Sequence, residues 1–192
     1  MKYTVTLFLF IIIFTSGCAD HNISLQTNID FLEKENFKNQ CKNQKIYLKI
    51  IDDRPSDIIG KIHVDGAEIR RARFQNEIEV QYENFINLFF KKNGFQVVSN
   101  DEERDKDVIL TIREISYRAR LASIEYNTYF KIDVQNLKNQ KKYFQQYRSQ
   151  KIKKCIFLLP NEKENNDYIN KVIDESLKKL TKDKNLIKFL SN

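Results

Sequence analysis

The stretch IEYNTYFKIDV, residues 124–134, decides the fold of this chain, because its side chains alternate in character along its length. Apolar and aromatic side chains such as Tyr126, Phe130 and Ile132 occupy even-numbered positions, whereas the odd-numbered positions are mostly charged or polar. Alternate side chains point to opposite faces of a strand, so this period of two predicts a half-buried antiparallel β-strand.

Segments on both sides of this stretch predict its partner strands. After it, Asn136–Asn139 is typical of a turn, and Lys141–Lys153 is expected to return as the hairpin partner. Before it, Asp107–Arg118 begins with apolar side chains on both faces, as a central strand does. A further strand, Lys45–Asp52, ends before Pro55, which cannot donate to a strand ladder. Short strands are also expected at two places, Glu68–Phe74 and Phe95–Val98.

Helical spacing appears in two segments that flank the later strands. The first predicts a helix over residues 76–93 with one apolar stripe: Ile78, Tyr82, Phe85, Ile86, Phe89 and Phe90. The second has apolar side chains at Ile169, Val172, Ile173, Leu177 and Leu180, and a short last helix follows with Leu186, Ile187 and Leu190. The order of elements predicts an α+β fold, an antiparallel sheet of about four to six strands with two main helices packed on one face.

The N-terminus has the pattern of a secretory signal peptide. Met1-Lys2 gives a positive start, and the apolar run Val5–Phe14 is too short for a comfortable membrane span. The small residues Ser16-Gly17 before Cys18 resemble the lipobox of lipoprotein signal peptidase, although Thr15 stands where leucine is commonest. The pattern therefore predicts cleavage after residue 17 and acylation of Cys18, which would anchor the protein to a membrane.

This pattern divides the chain into three parts: a signal peptide (1–17), a lipidated N-terminus with a polar tether (18–44) and a single periplasmic α+β domain (45–192). Ala19 follows Cys18, whereas an aspartate directly after the lipidated cysteine signals inner-membrane retention in enterobacterial sorting. By that resemblance, we expect the protein on the periplasmic face of the outer membrane.

The chain is basic, with 33 Lys and Arg against 26 Asp and Glu. A basic protein suggests nucleic acid as a partner, but export removes that partner. Anionic cell-wall polymers, lipid headgroups or acidic envelope proteins take its place, and a merely solvated basic face is the alternative.

The segment from Asn136 to Lys154 concentrates this charge, since it contains seven Lys and Arg and no acidic residue. Tyr143, Phe144 and Tyr147 are interleaved with these cations, which suits anionic glycans or an acidic partner strand. Alternation places Lys141, Lys151 and Lys153 on one face, where they form a candidate surface for an anionic partner, and Lys142 and Arg148 on the other. Lysines on an edge strand also deter aggregation, so edge protection is the alternative interpretation.

The residue types of catalytic and metal sites are scarce. The two histidines, His21 and His63, are far apart, and four glycines cannot build a phosphate-binding loop. Asp52-Asp53 precedes Arg54-Pro55 and favours a turn with a local ion pair over acid–base chemistry. We therefore expect no catalytic residue, no metal and no cofactor.

Two cysteines, Cys41 and Cys155, remain once Cys18 is acylated. In an oxidising compartment, a disulfide between them would close a loop of roughly 110 residues and contribute about 4–5 kcal/mol in the chain-entropy model. Two unpaired thiols are the alternative, because the sequence does not place the two residues together.

The whole pattern resembles the YajG-like lipoproteins of proteobacteria. The matching pieces are the lipobox ending at Cys18, the strand leading to Asp53-Arg54, the helix-to-strand unit from Tyr82 to Val97, the strand Val108–Ile115, the hairpin from Tyr126 to Arg148 and the C-terminal helix ending at Leu190. The polar tether and the pair Cys41 and Cys155 depart from that pattern. The resemblance implies an envelope lipoprotein without an assigned reaction, and it carries over no catalytic residues.

Two functions of different class fit these observations. The first is a non-catalytic envelope module that binds a partner protein or an anionic polymer. The second is a carrier of a small ligand or lipid with a pocket between helix and sheet. A carrier needs an apolar cavity of a few hundred Å³, whereas a binding module has a filled core and uses its surface.

Overall fold

Eight strands and three helices form the domain in the part of the chain that the computed structural model describes, residues 21–28, 32, 44–64, 67–99, 102–120, 123–154 and 161–192. In chain order, the strands are β1 (His21–Ile23), β2 (Lys45–Asp52), β3 (Ile58–Val64), β4 (Ala67–Phe74), β5 (Gln96–Val98), β6 (Lys106–Arg120), β7 (Ser123–Asn136) and β8 (Lys142–Lys154). Helix α1 (Ile78–Lys92) lies between β4 and β5, and α2 (Glu162–Thr181) and α3 (Lys184–Ser191) follow β8. The α+β class predicted from the sequence is confirmed.

The long strand β6 organises the sheet. One of its edges pairs antiparallel with β7 along the whole strand, and β7 in turn pairs antiparallel with β8. Its other edge pairs parallel first with β2 and then, near Tyr117, with β3. Beyond these strands, β5 is parallel to β2, β4 is antiparallel to β3, and β1 is parallel to β4.

The expectation of an antiparallel sheet with about four to six strands holds for β3 with β4 and for β6, β7 and β8. The sheet as a whole is mixed, because β2 is parallel to both β5 and β6, and it has eight strands in the described residues. The chain leaves β2, passes through β3, β4 and α1, and then returns as β5 and β6. A crossover of that length, which includes a helix, brings the next strand back parallel to the first. Two of the additional strands, β1 and β5, have three residues each and are too short to show a period.

The core lies between one face of the sheet and the helices. The even-numbered side chains of β7 are buried on this face, as the alternation predicted. Phe130 meets Tyr82 of α1 edge to face at 5.9 Å between ring centroids, and Tyr126 stacks on Tyr168 of α2 at 5.3 Å. Both main helices thus cover the same face of the hairpin.

All six residues of the predicted α1 stripe are buried, which confirms that helix. The chain leaves α1 through Asn93 and then Gly94, whose φ of 89° is a left-handed conformation that suits glycine. Helix α2 begins with a capping box, in which Asn161 and Glu164 each accept a hydrogen bond from the other's backbone amide. Among the helices that the structure describes, none combines the length and hydropathy that a membrane-crossing helix needs.

Residues 21–28 and Leu32, which the sequence assigned to the polar tether, belong to the folded body. Strand β1 pairs with β4, and Ile23, Leu25 and Leu32 are buried in the core. The Asn76 side chain binds both the amide and the carbonyl of Leu25 at 3.0 Å. Their burial depends on distant partners, strand β4 and Asn76, which the segment itself does not show.

Candidate functional site

The hairpin of β7 and β8 holds the three lysines that the sequence singled out. The predicted turn forms at its end, where the amide of Asn136 donates to the carbonyl of Lys141 at 2.9 Å. The side chain of Asn136 also accepts a hydrogen bond from the Lys138 amide at 3.0 Å. The hairpin is therefore confirmed, with β8 beginning at Lys142.

On the inner face of β8, two of these lysines lie against α2. Lys151 forms an ion pair with Glu175 at 2.5 Å. Lys153 forms one with Glu164 at 3.3 Å, and its ammonium lies 4.8 Å from the ring centre of Tyr168. Lys141 is exposed in the turn, outside the strand. The structure thus brings Lys151 and Lys153 together on one face, engages both with carboxylates of the same chain, and leaves Lys141 apart.

Nearer the turn, the same inner face is fixed to α3 through a carboxylate. Asp183 Oδ2 accepts hydrogen bonds from the hydroxyls of Tyr143 at 2.7 Å and Tyr147 at 2.8 Å. Its Oδ1 accepts from the amides of Asn185 and Leu186 at the start of α3. Burial raises the pKa of Asp183, but these hydroxyls and amides lower it by more, so its pKa lies below the ordinary value. The arrangement stabilises the charged carboxylate and joins the last helix to β8.

The outer face of β8 points away from the helices and has a different character. Its side chains are Lys142, Phe144, Gln146, Arg148, Gln150, Ile152 and Lys154. Phe144 is 52% exposed and Ile152 is 64% exposed. The Arg148 guanidinium lies over the Tyr129 ring of β7, 4.2 Å from its centre. Sequence reasoning named Phe144 among the aromatic residues of the hairpin but did not place it on the exposed face, and it missed Ile152.

The acidic pair after β2 serves the turn that the sequence predicted there. Asp52 accepts two hydrogen bonds from the Arg54 guanidinium, at 2.7 and 2.8 Å, and Arg54 is almost fully buried beside the ring of Phe74. Burial raises the pKa of Asp52, and Arg54 lowers it by more, so the pKa is below its ordinary value. Asp53 pairs with Arg113 of β6. Both carboxylates thus lie in ion pairs.

The residue types that bind metal ions are dispersed in the described part of the chain, where no group of three or more His, Cys, Asp or Glu side chains could hold a metal ion. His63 lies in β3 and His21 in β1. Cys18, Cys41 and Cys155 lie outside the described residues, so the predicted lipidation and the predicted disulfide remain predictions.

Comparison with known proteins gives a family and a fold. A family model described as "Uncharacterized lipoprotein" matches residues 33–191. No curated protein matches the chain.

Among solved structures, protein XCC0632 from Xanthomonas campestris is similar with a TM-score of 0.52 and 10% identity over 90% of this chain and 94% of that one. Lipoprotein GNA1162 from Neisseria meningitidis has a TM-score of 0.42 and 6% identity over 71% and 97%. A minor lipoprotein from Acinetobacter baumannii has a TM-score of 0.38 and 12% identity over 72% and 89%. At such identities, the likeness to XCC0632 concerns the fold alone.

Proposed function

The chain belongs to the uncharacterized lipoprotein family, and we propose that it is a non-catalytic binding module, anchored by its lipid to the periplasmic face of the outer membrane. Within that family, the lipobox and the order of elements favour the YajG-like group. Cys18 carries the acyl chains in this proposal, and Ala19 directs the lipoprotein to the outer membrane.

The observation that carries the binding role is the contrast between the two faces of the hairpin. The inner face is filled, because Tyr82, Phe85 and Phe89 of α1 are fully buried and α2 and α3 cover the rest of β7 and β8. The outer face leaves Phe144 and Ile152 largely exposed beside cations. Phe144 and Ile152 are eight residues apart on the strand, about 26 Å, so they offer an extended partner two separate apolar contacts along one face.

The carrier alternative is less well supported. The space between helix and sheet, where a lipid would lie, is occupied by aromatic side chains of the core. A surface groove of about 560 Å³ does lie between residues 26–28 and α2, but all nine residues that line it are polar or charged. Carrier pockets are mostly apolar, so this groove does not suit a lipid.

Native mass spectrometry of the full chain, extracted from envelopes in mild detergent, tests the choice between module and carrier. We expect the mass of the acylated protein without a stoichiometric small ligand, and we expect envelope proteins or polymers to co-purify in a salt-sensitive way. A tightly bound lipid or metabolite, retained at one per chain after detergent exchange, would favour the carrier and contradict the module.

A further inference from the structure

Strand β8 has one unoccupied edge: within the described residues, it pairs with β7 and with no other strand. The bonded pair Asn136 and Lys141 at the turn sets the alternation along the hairpin. In an antiparallel ladder, residues that bond to the neighbour alternate with residues whose amide and carbonyl point away from it. The carbonyl of Lys141 points to β7, so the odd-numbered residues of β8 bond to β7. The even-numbered residues of β8 therefore direct their amides and carbonyls to the free edge. The carbonyl of Arg148 fits this assignment, because it accepts a hydrogen bond from Lys179 of α2 and not from β7.

The same even-numbered residues carry the outer-face side chains. Along the strand, the outer-face side chains are Lys142, Phe144, Gln146, Arg148, Gln150, Ile152 and Lys154. Their chemical types follow the order cation, apolar, amide, cation, amide, apolar and cation. The order is symmetric about Arg148, so a partner strand of either direction would meet the same sequence of chemical types. The residues whose backbone groups point to the free edge are therefore the same residues whose side chains stand on the outer face.

We propose that the free edge of β8 binds one extended segment of a partner protein by strand addition, and that this segment carries acidic and apolar side chains on the face that continues the outer face of β8. Main-chain hydrogen bonds to the even-numbered residues provide affinity in such a contact, and the opposing side chains provide specificity. Carboxylates of the segment lie opposite Lys142, Arg148 and Lys154, and its apolar side chains lie opposite Phe144 and Ile152. This inference rests on the proposed binding role and assigns its surface and its class of partner.

Charge distinguishes such a partner from a second copy of this chain. Two β8 strands paired antiparallel about Arg148 would match Phe144 with Ile152, but they would also place Arg148 opposite Arg148 and Lys142 opposite Lys154. Like charges directly opposite each other destabilise a strand pair. Since the outer face of β8 has three cations and no acid, an acidic segment complements it and a second copy does not.

Free backbone groups distinguish the partner from a membrane surface. The even-numbered residues of β8 direct amides and carbonyls to the free edge. A second strand offers a matching row of carbonyls and amides, whereas lipid headgroups do not.

Edge protection explains the cations but not the apolar side chains. Lysines keep an edge strand from pairing with other chains, and Lys179 occupies the central carbonyl of this edge. A protected edge, however, would not expose Phe144 and Ile152 on the same strand. In the proposed complex, a backbone amide of the partner replaces the Lys179 ammonium at the Arg148 carbonyl.

The test uses a labelled peptide of sequence Glu-Thr-Val-Thr-Asn-Thr-Glu-Thr-Asn-Thr-Val-Thr-Glu and the full acylated chain in detergent, followed by fluorescence anisotropy. The peptide should bind. Exchange of its Glu for Lys, or methylation of the amides that face β8, should weaken binding by about tenfold or more. The variant Phe144→Ser/Ile152→Ser should weaken binding by a similar factor, whereas Val80→Ser, which alters an exposed apolar residue of α1, should leave it unchanged. Lys179→Met should strengthen binding, because it frees the Arg148 carbonyl.

Absence of peptide binding, or equal binding of the Lys peptide or the methylated peptide, would overturn the proposal. Binding of the wild type to phosphatidylglycerol vesicles, or its self-association, would also overturn the proposal if Phe144→Ser/Ile152→Ser abolished it without weakening peptide binding. If this variant still co-purifies with envelope material as the wild type does, the edge assignment fails while the binding role stands. If the wild type co-purifies with nothing, the binding role itself fails. Thermal unfolding of each variant verifies that it is folded.

Discussion

Asp183 is the residue whose replacement tests most sharply how the C-terminal helix is held. In Asp183→Ala, α3 loses its N-cap, which costs about 1 kcal/mol. The buried Tyr147 hydroxyl also loses its acceptor, and an unsatisfied buried hydroxyl costs about 1–3 kcal/mol. Tyr143 is only half buried, so water replaces most of the hydrogen bond that its hydroxyl loses. The free energy of unfolding should therefore fall by about 2–4 kcal/mol, a large share of the 5–15 kcal/mol typical of a domain.

Urea unfolding of residues 19–192, followed by far-ultraviolet circular dichroism, measures this loss. Asp183→Asn is the matched control, since asparagine caps a helix as well as aspartate but carries no charge, and it should cost about 1 kcal/mol. In a Tyr143→Phe/Tyr147→Phe background, Asp183→Ala should cost only the cap, because no hydroxyl is left without an acceptor. An equal cost in both backgrounds would refute the assigned contacts.

The charge of Asp183 adds a pH dependence with a definite sign. Its pKa is lower in the folded protein than the ordinary value of 3.8, so the carboxylate binds its proton more readily when unfolded. Its contribution to stability is complete above about pH 4 and is lost as the pH falls through the folded pKa. The wild type should therefore lose stability in this acid range more steeply than Asp183→Asn. Equal acid slopes would contradict the assignment.

Three further changes test other parts of the structure. Phe89→Ala should lower the free energy of unfolding by about 3–5 kcal/mol in urea titrations, since its ring is fully buried under α1; a loss below about 1 kcal/mol would contradict this packing. Gly60→Ala should lower the free energy of unfolding by about 1–3 kcal/mol, because a methyl group there would lie 2.3 Å from the Tyr117 ring. An unchanged melting temperature in thermal unfolding would exclude that contact. Replacement of Lys141, Lys151 and Lys153 by Glu should weaken salt-sensitive co-purification with envelope material if these lysines contact an anionic partner. Unchanged co-purification would mean that they serve only as contacts to α2 and as edge protection.

Local periodicity predicted the parts of the fold that depend on one segment at a time. The alternation in residues 124–134 identified the buried face of β7, and the apolar stripe of α1 identified that helix and its side toward the core. Local periodicity could not predict strand direction, because a period of two is the same in parallel and antiparallel strands. Strands β2 and β6 are parallel because a crossover joins them.

For the candidate site, alternation correctly separated Lys151 and Lys153 from Arg148. The sequence could not show that Glu164 and Glu175 of α2 face those two lysines, because that pairing depends on how a distant helix is placed. The exposure of Phe144 and Ile152 also depends on tertiary structure, since apolar side chains on a strand are usually expected in a core.

Mass spectrometry of the N-terminal peptide of the mature protein, isolated from envelopes, tests whether the protein is a lipoprotein anchored through Cys18. We predict that this peptide begins at Cys18, carries a diacylglyceryl group on its sulfur, and disappears in Cys18→Ser, which should also lose detergent-phase partitioning. A mature chain that begins elsewhere, or an unmodified Cys18 in a protein still held in the membrane, would contradict it.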